Sequence, residues 1–261
     1  MTDSLLVERT DAVVTLTLNR PDKMNALDVE LKEALRDTLG ELSTDRSCRA
    51  IVLAGAGKGF CVGQDLREHA QVLQRGGKLD TVEVHYNPIA QRLASMPKPV
   101  VAAVGGSAAG AGAGLALLAD FRIGGPATTF LMAFANVGLA GDTGVSWSLP
   151  RIVGHARALE LLLLAEPVPA QSAYQMGLLS RLTEDDDQVL PAAQELAARL
   201  AAGPTVAYGA IKRELSVGDA GTLSDALAAE NQAQVICAAT EDHVTAVTAF
   251  VAKQRPDFQG R

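Results

Sequence analysis

Ten small residues, Gly105-Gly106-Ser107-Ala108-Ala109-Gly110-Ala111-Gly112-Ala113-Gly114, follow directly on the apolar run Pro99-Val100-Val101-Ala102-Ala103-Val104. The run reads as a buried strand, Gly112 to Ala119 as a helix, and Phe121-Arg122-Ile123 as a further strand. Strand, helix and strand in quick succession is the rhythm of a parallel or mixed sheet, so the chain is expected to be α/β. A glycine-rich turn that opens into a helix leaves backbone N–H groups unpaired at the positive end of the helix dipole, a place suited to an anion. Three readings compete: a dinucleotide fingerprint, a close helix-packing site and an oxyanion hole. The first is disfavoured, because no acidic residue is clearly placed to close a second strand and the turn is not in the first βαβ unit.

A second glycine turn, Gly55-Ala56-Gly57-Lys58-Gly59-Phe60-Cys61-Val62-Gly63-Gln64-Asp65-Leu66, also follows a buried strand, Ala50 to Ala54. Two such turns, each after a strand of one sheet, can aim their amides at one point, which is the geometry an oxyanion needs. Taken singly, each is an ordinary loop.

Elsewhere Leu5 to Glu8 and Val13 to Leu18 predict a hairpin. Asp28 caps a helix with Leu31, Leu35 and Leu39 on one face, expected to stop near Gly40. Later helices are expected at Val145 to Leu149, Ala156 to Leu164, Ala170 to Met176, Gln188 to Ala201, Thr205 to Leu215, Ser224 to Ala239 and Asp242 to Lys253, with Leu179 to Leu182 as a strand. Ala202-Gly203-Pro204 is a stop signal before an all-helical tail, which divides residues 1–202 from 203–261.

The net charge of −7 would repel a phosphate backbone, and Lys and Arg nowhere gather with aromatics, so nucleic acid is not expected as a partner. The longest apolar runs, such as Leu161 to Ala165, fall far short of the roughly 20 residues of a membrane span, and Met-Thr-Asp-Ser has no secretory pattern. A cytoplasmic location without membrane association is expected. Cys48, Cys61 and Cys237 are an odd number without metal spacing, and His69, His85, His155 and His243 are scattered, so no protein-bound metal is expected.

The segments Leu18-Asn19-Arg20-Pro21-Asp22-Lys23-Met24-Asn25-Ala26-Leu27, Gly59 to Leu66, Pro99 to Asp120, Gly138-Leu139, Leu149-Pro150-Arg151 and Ala249-Phe250-Val251 resemble, in order, the signature segments of the crotonase (enoyl-CoA hydratase/isomerase) family. The resemblance covers nearly the whole chain and implies a ββα spiral core, here residues 1–202, with a C-terminal helical region, 203–261, that oligomerises and covers CoA. It implies a homotrimer or a dimer of trimers, a CoA thioester as substrate and no cofactor. The oxyanion donors it implies are the N–H groups of Gln64 and Ala111, where Ala111 stands for a glycine usual in the family. CoA is implied along Arg20, Lys23 and Ala26, along Cys61, Val62, Gly63, Asp65, Leu66 and Gly110, and against Phe250 and Lys253 of the final helix, with the adenine near Cys61 to Gly63 and the phosphates near Arg20 and Lys23.

Family hydratases carry two glutamates at positions that correspond to Gly114 and Phe134, neither of which transfers protons. Gly141-Asp142-Thr143-Gly144 resembles instead the proton-shuttling segment of phenylacetate-pathway and related enoyl-CoA isomerases, with Gly141 where proline is usual. Asp142 is thus expected to be the base, although Asp before Thr-Gly and a helical run also suits a helix cap. Glu68 and His85 stand in reserve beside Asp65, His69 and Glu83. The function this implies is movement of a double bond through a thioester enolate. A hydratase of altered mechanism and an inactive acyl-CoA-binding protein are the rivals. The acyl pocket is expected between Leu66 and Met96 and around Met132 to Leu139.

Overall fold

A computed structural model of the chain describes residues 4–76 and 80–261, so part of the expected 66–96 pocket wall, and the first residues of the amino terminus, lie outside the described residues. Strands β1 (Leu5–Thr10) and β2 (Val13–Leu18) form the expected antiparallel hairpin, with Leu5 opposite Leu18. A 3-10 turn, Pro21–Lys23, leads to α1 (Val29–Thr44), where the Asp28 carboxylate accepts the Leu31 amide at 2.9 Å. The helix does not stop near Gly40. Glycine costs a helix interior about 1 kcal/mol, and the buried Leu39 and Leu42 on either side carry α1 through it to Thr44.

A strand–turn–strand unit then recurs, and this gives the fold its spiral. The first turn of the spiral is β3 (Ala50–Gly55), β4 (Gly59–Cys61), α2 (Leu66–Gln74), a π-helical turn over Val82–Tyr86 and α3 (Asn87–Ala94). The second is β5 (Val100–Val104), β6 (Ser107–Ala109) and α4 (Ala111–Leu118). The third is β7 (Phe121–Gly124), β8 (Thr129–Leu131) and a 3-10 turn, Ala135–Val137. Helices α5 (Val145–Val153) and α6 (His155–Leu164), strand β9 (Val168–Pro169), helix α7 (Ala170–Gln175), strand β10 (Arg181–Leu182) and helices α8 (Val189–Ala201), α9 (Thr205–Ala220), α10 (Leu223–Ala238) and α11 (Glu241–Val251) complete it.

The first strand of each unit joins a sheet of order β1-β2-β3-β5-β7-β10, and the second joins a smaller sheet of order β4-β6-β8-β9. Within them β2, β3, β5 and β7 run parallel, as do β4, β6 and β8. Sequence patterning shows the first set and misses the second, because Gly-Phe-Cys, Ser-Ala-Ala and Thr-Phe-Leu are each too short to display an alternation. The expected strand at Leu179 to Leu182 shrinks to Arg181–Leu182. Helices α5 and α9 outrun their expected ends, to Val153 and Ala220, and their packing on α6 and α10 outweighs the penalties of Pro150 and Gly218.

Period-2 alternation sorts the large sheet into two buried faces. Leu16, Ile51, Leu53, Val100, Ala102 and Val104 face the main core with α1, α3 and α4. Val13, Ala50, Val52, Ala54, Val101 and Ala103 face Ala192, Ala193 and Ala197 of α8, an alanine-on-alanine contact that suits a chain with only 4% aromatic residues. Arg49 ties the last segment to this core through Thr205 Oγ1 (3.0 Å), the Gly203 carbonyl and the Phe258 carbonyl. Among the described residues no helix is long and apolar enough to cross a membrane.

Candidate active site

The small sheet explains why the two glycine turns meet. β4 and β6 lie side by side with Cys61 opposite Ala108, so the residues just beyond them emerge next to each other. The approach is close enough to require glycine at 63, whose φ is +85°. A Cβ there would lie 2.9 Å from the Ala109 carbonyl oxygen and 3.1 Å from the Ala111 nitrogen. Gly110, at φ +50°, is the N-terminal cap of α4, and Ala111 is its first helical residue. Alanine is therefore tolerated at 111, because the left-handed backbone is confined to Gly110 beside it. Among the described residues, neither the Gln64 nor the Ala111 amide donates to an acceptor in the protein.

Both residues line one cavity of ≈ 100 Å³, with Val62, Leu66, Val82, Phe134, Val137 and Leu139 as its apolar wall. Larger hollows of ≈ 610 and ≈ 580 Å³ lie in the seams that α9–α10 and α8 make with the rest of the chain, and neither contains this pair of amides.

Asp142 reaches the same cavity from the loop before α5. Its carboxylate accepts from Thr143 Oγ1 at 2.8 Å and does not cap α5, whose cap is Gly144 without a side-chain bond. Burial pushes the Asp142 carboxyl above the ordinary range, opposed by the Thr143 bond and the positive charge of Lys32. Thr143 is itself buried with φ +49°, a conformation that costs a β-branched residue of order 1–3 kcal/mol and holds the loop in one path. That path fills the space beside Gly114, where an added Cβ would come 2.8 Å from Thr143 Cβ and 3.0 Å from its carbonyl oxygen. Phe134 is buried in the cavity wall.

Beside Gln64 sits a polar cluster in which the reserve residues Glu68 and His85 gather around Lys32, Thr81 and Tyr86, three residues that the sequence alone did not single out. Lys32, 1% exposed, points from α1 to Thr81 Oγ1 (2.8 Å) and Gln64 Oε1 (3.3 Å), with Glu68 Oε2 at 4.0 Å. Its Nζ lies 5.5 Å from the centre of the Tyr86 ring, and the Tyr86 hydroxyl donates to the same Gln64 Oε1. Burial lowers the Lys32 pKa, offset by Glu68, Asp28, Asp65 and Asp80, while burial drives the Tyr86 hydroxyl far upward, helped by Asp142, Cys61 and Glu68. His85, buried, faces Thr81 Oγ1 at 3.0 Å and Glu33 at 3.9 Å. Burial and then Lys32 lower its pKa, against the opposing charge of Glu33. The signal was present in the sequence, since Lys32 falls on the Leu31–Leu35–Leu39 stripe, where a charge must find a partner.

The remaining expected positions are spread along the surface. Arg20 pairs with Asp28 and Asp65, each at 3.0 Å, and donates to the Ala26 carbonyl, so its guanidinium is engaged within the protein. Lys23 is exposed and Ala26 is buried. Cys61 is fully buried, its thiol pushed up to about 12 by burial, so that the segment can offer a ligand its backbone, Val62 and Gly63. Asp65 caps α2 by accepting the Arg67 and Glu68 amides. Burial alone would raise its carboxyl, but Arg20 and those amides outweigh it and hold it below the usual range. Leu66, 52% exposed, and His69 stand among the cavity residues, whereas Glu83 is exposed. Phe250, 83% exposed, and Lys253 are on the far C-terminal helix and its end, outside the cavity wall of this chain.

Paired glycine turns on a two-sheet ββα spiral define a crotonase-type acyl-CoA enzyme. The chain matches the enoyl-CoA hydratase/isomerase family over residues 8–261 and belongs to it. It is 40% identical to the 1,2-epoxyphenylacetyl-CoA isomerase of Escherichia coli K12 over 100% of both chains. It is also 40% identical to a protein named "Probable enoyl-CoA hydratase" from Rhodobacter capsulatus, over 97% of each. A crystal structure assigned to the enoyl-CoA hydratases, from Streptomyces coelicolor A3(2), superimposes with a TM-score of 0.94 at 42% identity over 99% of this chain and 94% of that one.

Proposed function

We propose that the protein moves a double bond in an enoyl-CoA thioester, with Asp142 as the proton shuttle and the Gln64 and Ala111 amides as the oxyanion donors. The observation that carries this reading is one cavity lined by Gln64 and Ala111, whose amides have no acceptor among the described residues, and by the half-buried Asp142 carboxylate. Gly114 and Phe134, which by the family resemblance stand where hydratases carry glutamates, supply no other acid or base. Asp142 takes a proton from C2 of a 3-enoyl thioester, the C–H pair becomes the C1–C2 double bond of a dienolate, and the carbonyl π pair moves onto the thioester oxygen. Two preset donors stabilise that oxygen, and the loss of one costs a rate of order 10²–10³. On collapse the carbonyl reforms, the C1–C2 pair shifts to C2–C3 and the C3–C4 pair takes up the proton that Asp142 returns at C4, so the 2-enoyl thioester results with no cofactor consumed.

The acyl chain lies against Val137, Leu139 and Phe134, and the pantetheine leaves past Leu66. Cys61 to Gly63 and Gly110 offer backbone to CoA, Ala26 and Asp65 frame the same groove, and the exposed Lys23 meets phosphate. Arg20 organises the loop through its carboxylates and reaches phosphate only by giving them up. The exposed Leu223, Val235, Phe250 and Val251, each at least 65% exposed, form an apolar surface on α10 and α11 that suits a homotrimer or dimer of trimers, with Phe250 and Lys253 reaching a neighbour's CoA. A CoA thioester in the cytoplasm is the natural substrate setting.

The test is to supply 3-enoyl-CoA and follow conjugation by absorbance. Isomerisation at an enzymatic rate that falls at least about 10²-fold in Asp142→Asn supports the reading. Equal rates in the two proteins reject Asp142 as the base. Hydration of crotonyl-CoA is the rival outcome, favoured by the presence of His69 in the cavity.

A further inference from the structure

Lys32 is an expensive residue to keep where it is. A buried ammonium loses several kcal/mol of hydration, and the nearest carboxylate among the described residues stands 4.0 Å away. Met or Leu would complete the Leu31–Leu35–Leu39 stripe without that penalty. Its two closest acceptors are Thr81 Oγ1, which anchors it, and Gln64 Oε1, which it shares with the Tyr86 hydroxyl. The Gln64 carboxamide therefore receives two donors, one of them charged, while the Gln64 main-chain N–H, on a residue that lines the cavity, has no acceptor among the described residues. Fixing the side chain at its tip restricts rotation of the peptide plane that carries the amide. The charge is also close enough to the cavity to act on the Asp142 carboxyl, whose pKa it lowers against the effect of burial.

We propose that Lys32 is a positioning residue for the oxyanion hole, acting through the Gln64 carboxamide to hold the Gln64 amide in place and adding a buried positive charge near the developing enolate. The inference rests on the proposed role of the Gln64 amide, so its test must separate the two ideas. The groups facing Lys32 are Glu68 on α2, Asp28 and Asp65 at the caps, Asp80 and Thr81 just before the π turn, His85 and Tyr86 within it, and Asp142, which also lines the cavity.

Bound acetoacetyl-CoA provides a readout that needs no turnover. It loses its C2 proton to buffer, and the resulting enolate absorbs in the near ultraviolet, so the apparent pKa of the bound thioester measures stabilisation of the oxyanion. The wild-type protein is expected to lower that pKa relative to free acetoacetyl-CoA. Lys32→Met and Gln64→Met, which leaves the main-chain amide in place, are each expected to cut the enolate-to-ketone ratio about tenfold, the loss of one charge-assisted bond. The double variant is expected to lose no more than either alone, because both break one link. In turnover Lys32→Met is expected to lower kcat with KM within about threefold, and to move the acid limb of kcat to higher pH as Asp142 loses a cation.

If the wild-type protein does not enhance the enolate, the oxyanion reading fails and the Lys32 inference with it. If it does and both single variants keep that enhancement within about twofold, Lys32 is structural and only this inference is overturned. Additive losses in the double variant overturn the route through Gln64. Should Lys32→Met not fold, Gln64→Met and Thr81→Val, which removes the anchor of the ammonium, decide the same question by the same ratio.

Discussion

Gly63→Ala tests the meeting of the two turns more directly than removal of any side chain. The substitution adds a single methyl, and its effects can be read from the backbone. At φ +85° an L residue costs about 1–2 kcal/mol relative to glycine. The methyl would also sit 2.9 Å from the Ala109 oxygen, closer than a Cβ can come without something shifting, and 3.1 Å from the Ala111 nitrogen, a few tenths of an ångström inside ordinary contact. Both atoms belong to the backbone of the opposite turn, so relief can come only from moving the turns apart, and the amide at 64 or the one at 111 swings off its line. Loss of one oxyanion donor is worth a rate of order 10²–10³, so a partial misalignment is expected to lower kcat about 10- to 100-fold.

Gly177→Ala supplies the comparison. Its φ is +82°, but the nearest atom to an added Cβ is 3.9 Å away, and it lies after α7, outside the residues that line the cavity. It should lose a similar 1–2 kcal/mol, roughly, and keep kcat within about twofold. The assay is conjugation of 3-enoyl-CoA followed by absorbance, together with thermal unfolding of both variants. Because the amides act on charge present only in the transition state, kcat and kcat/KM should fall together in Gly63→Ala. Wild-type kcat in Gly63→Ala alongside a normal loss of stability would refute the convergent-amide reasoning.

Asp142→Asn should abolish most isomerisation and stabilise the fold. The folded carboxyl is raised by burial above its unfolded value, so its ionisation costs stability as pH rises through the folded pKa. The variant should melt higher than wild type near pH 7, and the difference should close below the ordinary carboxylate range. Wild-type activity should show an acid limb displaced upward from the usual carboxylate pKa for the same reason, and a limb at the ordinary value would count against Asp142. Gly114→Glu should lose about 1–3 kcal/mol from overpacking against Thr143, without gaining hydration of crotonyl-CoA. A variant with the wild-type melting temperature and new hydratase activity would show that the 143 loop yields. Phe250→Asp should reduce the sedimentation mass of any oligomer, since this 83% exposed side chain leads the apolar surface of the last helices. An unchanged mass would remove α11 from the interface.

What the chain declares in one dimension is the part of the fold whose elements carry their own periodicity. Val100 to Val104 and Ala50 to Ala54 are continuous apolar runs because both sides of the large sheet are covered, by α1, α3 and α4 on one face and by α8 on the other. The glycine turns are equally plain, because a left-handed backbone and a near-contact of main chains leave few alternatives to glycine. Three-residue strands have no period to read, so the small sheet that brings Gly63 against Ala111 is invisible until the chain has folded. Lys32 is a different case. Its side chain looks like one charge on an amphipathic helix, and only the π turn over Val82–Tyr86 turns it into a buried group beside Gln64.

The exchange of one carboxylate position for another follows from the same packing. A glutamate two residues beyond the glycines would need its Cβ where the Thr143 side chain and carbonyl now lie. Conversely, the strained Thr143 backbone is what delivers Asp142 to the cavity. The two arrangements compete for one volume of about a side chain, so in this chain the path of the 142 loop leaves position 114 without room for a Cβ. If Asp142 carries the proton as proposed, a single carboxylate serves the site, which suits carrying one proton between two carbons better than adding the elements of water, for which an acid and a base are both needed.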